Sequence, residues 1–480
     1  MTEKISFYNT MSRAIDNVEP IDGKEIKMYC CGPTVYNYAH IGNLRTYIFE
    51  DLLAKTIRMS GHKLKHVMNI TDVGHLTSDA DTGEDKMLLA AEREKLQVLD
   101  LARKYENVFF KHTAALGLNR PDVVARATEH IQDMINFIKK LEEKGYAYLS
   151  NGNVYFDTAK FPDYGKLSGQ KRSELKHGAR VEQDSNKRNP SDFVLWFTTS
   201  KFENQILRWD SPWGQGYPGW HIECSTMAMK YLGARVDIHC GGVDHIAVHH
   251  ENEIAQSEAY LGHKWVNTWM HAAFLQMKGG KMSKSKGDFI TLDTLIEKGY
   301  KPEHYKYFCL TSHYKTSANF SYEALDAAKN SYESLLNKIS ELKKLASVNA
   351  TVDISQEKVS IDKFNSFMFN DLKTPQALAV VWDVLKSSTI PAKSKLNFLE
   401  HTDKIFGLSL ENAIKSKETE LVVSDEISKI AERRQQARAN KDWSTSDELR
   451  NLLLAKGFDI KDLPNNQFQL LAVKKNAIER

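Results

Sequence analysis

Cysteine is scarce in this chain, with five among 480 residues. They stand at Cys30, Cys31, Cys224, Cys240 and Cys309, a sparse and odd set that argues against a disulfide framework and for a reducing, cytoplasmic setting. No run of 18 apolar residues occurs, so no membrane span is expected. The opening segment Met1-Thr2-Glu3-Lys4-Ile5 lacks the apolar stretch of a signal peptide. Charge of one sign is also lacking: the net charge is +3, which neither demands nor excludes a nucleic-acid partner, because a local basic face need not show in the total. Internal repeats and low-complexity tracts are absent. What remains is ordinary globular composition, 41% hydrophobic and 26% charged, in a chain too long for one core, so about three domains are expected.

Residues 24 to 32 read as a short strand ending at Gly32. A helix is expected from about Gly42, carrying Tyr47, Ile48, Leu52, Leu53 and Ile57 at helical spacing, and Lys63 to Ile70 reads as a second strand. This order suits a parallel nucleotide-binding sheet with ligands at the carboxyl ends of its strands. Residues 118 to 208 read as an insertion, with a hairpin turning at Ser150-Asn151-Gly152-Asn153. The sheet pattern is expected to resume near Trp220 and again at Val236 to His239. From about 320 the chain turns helical. Leu325, Ala328, Tyr332, Leu335, Ile339 and Leu342 form one stripe. Thr374-Pro375 reads as a cap and first turn, and Gly407 as a stop. A polar linker is expected over 412 to 424. A small terminal unit follows, with a basic helix (Arg433, Arg434, Arg438), a second helix and a β-like tail from Phe468 to Val473.

Two short strings carry the chemistry. His40-Ile41-Gly42-Asn43 puts neutral donors and a glycine just before a helix start, where free N–H groups favour phosphate. Lys281-Met282-Ser283-Lys284-Ser285 follows about 240 residues later, behind a flexible Lys278-Gly279-Gly280 entry. Activation of a carboxylate by ATP needs both neutral donors and cations, because charge builds on the α-phosphate and the leaving pyrophosphate. A third group is metal-ligating in type. His249 and Glu253 lie four apart and share a helix face, whereas His250 has only Ile254 at that spacing. Two thiolates beside such an imidazole and carboxylate would make a tetrahedral zinc set, and Cys31 and Cys224 are candidates. Cys30, Cys240, His239, His245 and His250 are rival ligands that spacing does not exclude.

The two strings resemble the HIGH and KMSKS signatures of class I aminoacyl-tRNA synthetases. The runs Met28 to Tyr36, Asn69-Ile70-Thr71-Asp72, Gly219 to Ser225 and His249 to Glu253 are similar to those of the cysteinyl-tRNA synthetase family, essentially from end to end. The resemblance implies ATP-dependent ligation of L-cysteine to tRNA(Cys) through a cysteinyl-adenylate. It implies His40, Asn43, Lys281 and Lys284 as catalytic groups, with Asn43 departing from the second histidine of the HIGH pattern. Gly42, Gly241, Gly242, Asp244 and Lys284 would hold ATP, with Cys240 standing where a glycine is often found. Gly32, Thr71 and Trp220 would line the cysteine pocket. In this family the metal-binding cysteine directly precedes a glycine, which selects Cys31 over Cys30, beside Cys224, His249 and Glu253.

One Zn²⁺ per chain and Mg²⁺ with the ATP are the implied metals. Zinc deprotonates a thiol, which a hydroxyl resists, so it separates cysteine from serine where a hydrophobic pocket would gain only about 1–3 kcal/mol. The implied fold is α/β: a Rossmann-like parallel-sheet catalytic domain with an insertion, an antiparallel helical bundle, and a small mixed α/β C-terminal unit. The expected divisions are 1–117 and 209–319 (catalytic halves, the second with the KMSKS loop), 118–208 (insertion), 320–411 (tRNA-binding bundle) and 412–480 (anticodon recognition). A monomer is expected. Ligases that join cysteine to an amino sugar resemble the same core but lack the tRNA-binding C-terminal region, for which this chain has about 150 residues.

Overall fold

A computed structural model describes residues 2–73, 90, 97–169, 186–199, 207–277, 280–281, 289–416, 424–463 and 467–472. They fall into two compact units, Met1–Ile414 and Lys415–Arg480. The first opens with a hairpin, β1 (Ile5–Asn9) and β2 (Ala14–Val18). Then come β3 (Ile26–Cys30), α1 (Ile41–Met59), β4 (Leu64–Ile70), α2 (Val98–Ala115), β5 (Val123–Arg126) and α3 (Ile131–Glu143). An antiparallel sheet follows: β6 (Ala147–Ser150), β7 (Asn153–Phe156), β8 (Phe193–Phe197) and β9 (Tyr217–Pro218). Next are α4 (Trp220–Leu232), β10 (Val236–Gly242), α5 (His249–Leu261) and β11 (Val266–Ala272).

Strands β11-β10-β3-β4-β5 pair in that order, all parallel, as the alternation of strand and helix dictates. The chain leaves β3 toward β4 on one side and β10 toward β11 on the other. The strand order therefore reverses between β3 and β10. That reversal opens a crevice at their carboxyl ends, where Cys31-Gly32 and Gly241-Gly242 lie. The core under the sheet is aromatic as well as aliphatic, and Trp196, Trp265 and Trp269 are among its largest fully buried side chains.

Beyond the sheet, β12 (Leu275–Met277) pairs antiparallel with β13 (Gly280–Lys281) and parallel with β14 (Ala318–Phe320). Between β13 and β14 lie α6 (Leu292–Glu297) and α7 (Pro302–Leu310). The helical region comprises α8 (Tyr322–Val348), α9 (Ile354–Met368), α10 (Thr374–Lys386), α11 (Ala392–Phe406) and α12 (Leu410–Lys415). The α8 stripe is buried as its spacing predicts.

Three expectations are corrected and one helix is added. Trp220 opens a helix, not a strand; only the two-residue β9 precedes it. Lys373 rather than Thr374 is the cap of α10, and no side chain closes that cap. The expected linker begins inside α12. Helix α9 was not foreseen, because only Ser360, Phe364 and Met368 of it are buried.

The second unit holds α13 (Asp425–Ala439), α14 (Trp443–Ala455) and a hairpin, β15 (Phe458–Leu463) with β16 (Gln467–Ala472). Its own core joins Ile427, Ile430, Ala431, Leu449, Leu453 and Ile460. Arg434 is 2% exposed and paired with Asp462, so its guanidinium stabilises this unit and does not face a phosphate. Arg438 reaches Asp462 at 3.4 Å, and Arg433 is exposed.

Candidate active site

The crevice forms a cavity of 360 Å³. Among the residues lining it are His40, Gly42 and Asn43 from the start of α1, and Cys31 and Gly32 from the end of β3. Others are Trp220 and Cys224 from α4, Asp244 after β10, His249 from α5, and Ala273 and Phe274. Two expected groups, the HIGH-like string and part of the metal set, thus face one space.

His40 is the N-cap of α1. Its Nδ1 accepts from the Asn43 backbone N–H at 3.0 Å, and Asn43 Oδ1 accepts from the His40 backbone N–H at 3.3 Å, a reciprocal capping box. A ring nitrogen that accepts carries no proton, so the imidazole proton sits on Nε2. A Cβ on Gly42 would lie 3.0 Å from the His40 ring, so the glycine also leaves room for that ring.

At β3, Cys31 N–H donates to Cys240 O at 3.1 Å, prolonging the pairing beyond the strand. Gly32 N–H donates to Asn69 Oδ1 at 2.8 Å, and a Cβ on Gly32 would overlap the Asn69 carbonyl. Asn69 Nδ2 donates to Thr71 Oγ1 at 3.2 Å, which in turn donates to Glu223 Oε2 at 2.9 Å. Thr71 is buried and is not among the residues lining the cavity. Burial pushes the Glu223 carboxyl well up. Trp220 packs on His249 with ring centroids 4.2 Å apart. Gly241 is buried, and a Cβ there would meet His245 Nδ1 at 2.6 Å and His250 Cε1 at 2.8 Å.

Cys31, Cys224, His249 and Glu253 are all buried, with one ligand atom from each within 4.8 Å of the others. His249 Nε2 is 3.0 Å from Glu253 Oε1, while its Nδ1 is 3.0 Å from His221 Nδ1. A second group, Cys31, His239, His250 and Glu253, meets the same distance limit. His239 Nε2 bonds Glu253 Oε2 at 2.9 Å, and His250 lies 3.3 Å from the Cys31 sulfur. His250 Nδ1 continues to His271 Nε2 at 2.8 Å, and His271 Nδ1 to Thr10 Oγ1 at 2.7 Å.

Charge in this cluster is polarised. Burial alone would raise the Cys224 thiol, but the Cys31 hydrogen bond and His249 outweigh it and hold it at about 6. Burial likewise opposes Glu253, yet His239 and His249 hold it at about 2. His249 is drawn up to about 10, against burial, by Glu253 and Cys224. Burial and the neighbouring imidazoles keep His250 well below its usual value, and so neutral. Anionic sulfur and carboxylate around one imidazole, all dry, are a donor set that fits a divalent, thiolate-seeking cation.

The backbone of Lys281 pairs with Gln276 in the β12–β13 hairpin. Lys284, Ser283, Ser285, Lys278 and Gly279 lie outside the described residues. Sequence reasoning missed His221 and His271, which orient imidazoles, and Glu223, which holds Thr71. The first and third had a signal, since they share the start of one helix with Trp220 and Cys224, both of which line the cavity. His271, alone in a strand, had none.

The family model for the class I (C) tRNA synthetase catalytic domain matches residues 17–330. A cysteine–tRNA ligase of Treponema denticola is 46% identical over 95% of this chain and 98% of its own. One from Borreliella burgdorferi is 44% identical with the same coverage. Among solved structures, a Mycobacterium tuberculosis methionyl-tRNA synthetase in complex with methionyl-adenylate superposes with a TM-score of 0.58. It is 14% identical, covering 82% of this chain and 93% of that one, and bears on the fold alone.

Proposed function

This chain belongs to the cysteine–tRNA ligase family of class I tRNA synthetases, and on that premise we propose that it activates L-cysteine with ATP and transfers it to tRNA(Cys). The observation that carries the reading is one cavity lined at once by His40 and Asn43 and by Cys31, Cys224 and His249. A carboxylate oxygen of cysteine attacks the α-phosphorus of ATP and pyrophosphate leaves. A ribose hydroxyl of the terminal adenosine then displaces AMP. His40 donates from Nε2 to the α-phosphate oxygens as negative charge gathers there, and Asn43 donates from its amide. Lys281 and Lys284 offset charge on the departing pyrophosphate, with Mg²⁺ accompanying the triphosphate. Gly42, Gly241, Gly242 and Asp244 shape the adenosine side, Asp244 accepting from ribose hydroxyls. Gly32, Thr71 and Trp220 shape the cysteine side, Thr71 from behind the wall.

Cys31, Cys224, His249 and Glu253 would hold one Zn²⁺ per chain, and the group, when bound, supplies direct selection of a thiolate over a hydroxyl. The first ligand group is preferred over the second because Cys224 and His249 line the cavity, whereas His239 and His250 do not. His221 fixes the His249 ring so that Nε2 faces the other ligands. We assign 1–117 and 209–319 to activation, 118–208 to an insertion whose first strand, β5, still belongs to the central sheet, and 320–411 with 412–480 to tRNA, in a cytoplasmic monomer. Among the described residues no helix is long and apolar enough to cross a membrane.

The test is cysteine-dependent ATP–pyrophosphate exchange, with metal content measured on the same samples. Wild type should exchange with cysteine and not with serine. Cys224→Ala should lose its metal and its exchange together. Full metal content in that variant would refute the ligand, and wild type inert toward cysteine would refute the activity.

A further inference from the structure

Arg45 stands five residues beyond His40 on α1 and is 3% exposed. Among the described residues no carboxylate pairs with it. Its guanidinium is instead spent on the backbone. One terminal nitrogen donates to Ala273 O and, at 3.4 Å, to Phe274 O. The other donates to Thr316 O at 2.7 Å, His313 O at 3.2 Å and Ser312 Oγ at 3.4 Å. A dry cation without a counter-charge costs several kcal/mol unless its donors find partners, so this fork favours the arrangement of the two segments that brings those five acceptors to it.

Both segments lead to the second signature. Ala273 and Phe274 line the cavity and run directly into β12, which forms the hairpin with β13, where Lys281 lies. Residues 312–316 run into β14, the other partner of β12. Ala273 N–H donates to Tyr314 O at 2.8 Å and Ala318 N–H to Phe274 O at 3.1 Å, so the two segments are already clasped to each other. Arg45 ties the clasp to α1, the helix capped by His40, beside Phe49, whose ring stacks on Tyr314 at 4.5 Å.

We propose that Arg45 is a positioning residue for adenylate formation, fixing the root of the β12–β13 hairpin relative to His40. This rests on the activity read above. The groups on the phosphate side are set by Arg45, whereas Cys31, Cys224, His249 and Glu253 are held by other strands and helices. Its loss therefore acts on ATP and spares cysteine and the metal.

Arg45→Met and Arg45→Lys in the full chain test this by exchange kinetics, with metal content and melting measured alongside. For Arg45→Met, kcat/KM for ATP falls by about 100-fold, the scale of a displacement near 1 Å. KM for cysteine stays within about twofold and metal content is unchanged. Arg45→Lys keeps the charge but not the fork, and recovers part of the loss. If Arg45→Met does not fold, Arg45→Lys carries the same split alone. A KM for cysteine that rises along with the loss toward ATP, or no loss in a folded variant, would overturn the role of Arg45. Wild type without cysteine-dependent exchange would overturn the activity and this role together.

Discussion

His40 holds two jobs through two nitrogens. Nδ1 closes the first turn of α1, which leaves the proton on Nε2 for a phosphate oxygen. Asn43 completes the cap through Oδ1 and keeps its amide N–H₂ as a donor. Asn43→Asp should preserve the cap while removing that donor, so melting is held and exchange falls by about 10²–10³, the usual cost of one such donor. Unchanged exchange would exclude Asn43 from the chemistry. A second residue makes a pH prediction. His66 in β4 is buried, and burial together with Arg58 holds it down to about 4 from 6.5. The unfolded chain thus takes up a proton that the folded one refuses. The stability from a neutral His66 is complete above pH 6.5 and lost as pH falls to about 4, roughly 3 kcal/mol in all. Denaturant titrations should show a shallower acid limb for His66→Leu, and an identical limb would contradict the assignment. At this scale the sequence made Cys31, Cys224, His249 and Glu253 legible through residue type and one i, i+4 spacing, with the resemblance choosing among cysteines. It could not reveal that His239 and His250 form a second group on the same Cys31 and Glu253, because that depends on how β10 and α5 face one another.

Elements were legible where local chemistry alone decides them. The turn at Asn151-Gly152 has positive φ at both residues, 47° and 84°, as a two-residue hairpin requires. The stop at Gly407 has φ 58°, and a Cβ there would lie 2.7 Å from Lys306 Nζ and 2.9 Å from the Gly117 carbonyl. Gly407→Ala should therefore cost more than the roughly 1 kcal/mol of a left-handed alanine, read as a lowered melting temperature. A melting temperature equal to wild type would show that the site relaxes. Elements were illegible where tertiary context decides. Trp220 reads as strand by type, yet it starts a helix whose cap is a glycine with no side chain to announce it. The basic residues of α13 are legible in the sequence, but the partner of Arg434 is not, because Asp462 lies on a strand that no sequence pattern announces.

Across the whole molecule the parallel order and its reversal between β3 and β10 place the cavity, and the two compact units set out what can be separated. The sheet, the cavity residues and the bundle all lie within Met1–Ile414, while Lys415–Arg480 has its own core. A chain ending at 414 should keep cysteine-dependent exchange, and charge tRNA at least about tenfold less well, a loss near 1.4 kcal/mol. Equal charging by the shortened chain would remove the terminal unit from tRNA recognition. The broad architecture was readable from the order of strand and helix patterns. The boundary of the insertion was less so, since Val123–Arg126, within 118–208, is a strand of the central sheet. The most direct measurement is charging of bulk tRNA by the intact, metal-replete chain with labelled cysteine and ATP, against labelled serine. Cysteine-specific charging that requires ATP is the expected result. A folded, metal-replete chain that charges no tRNA, or charges serine equally, would contradict it.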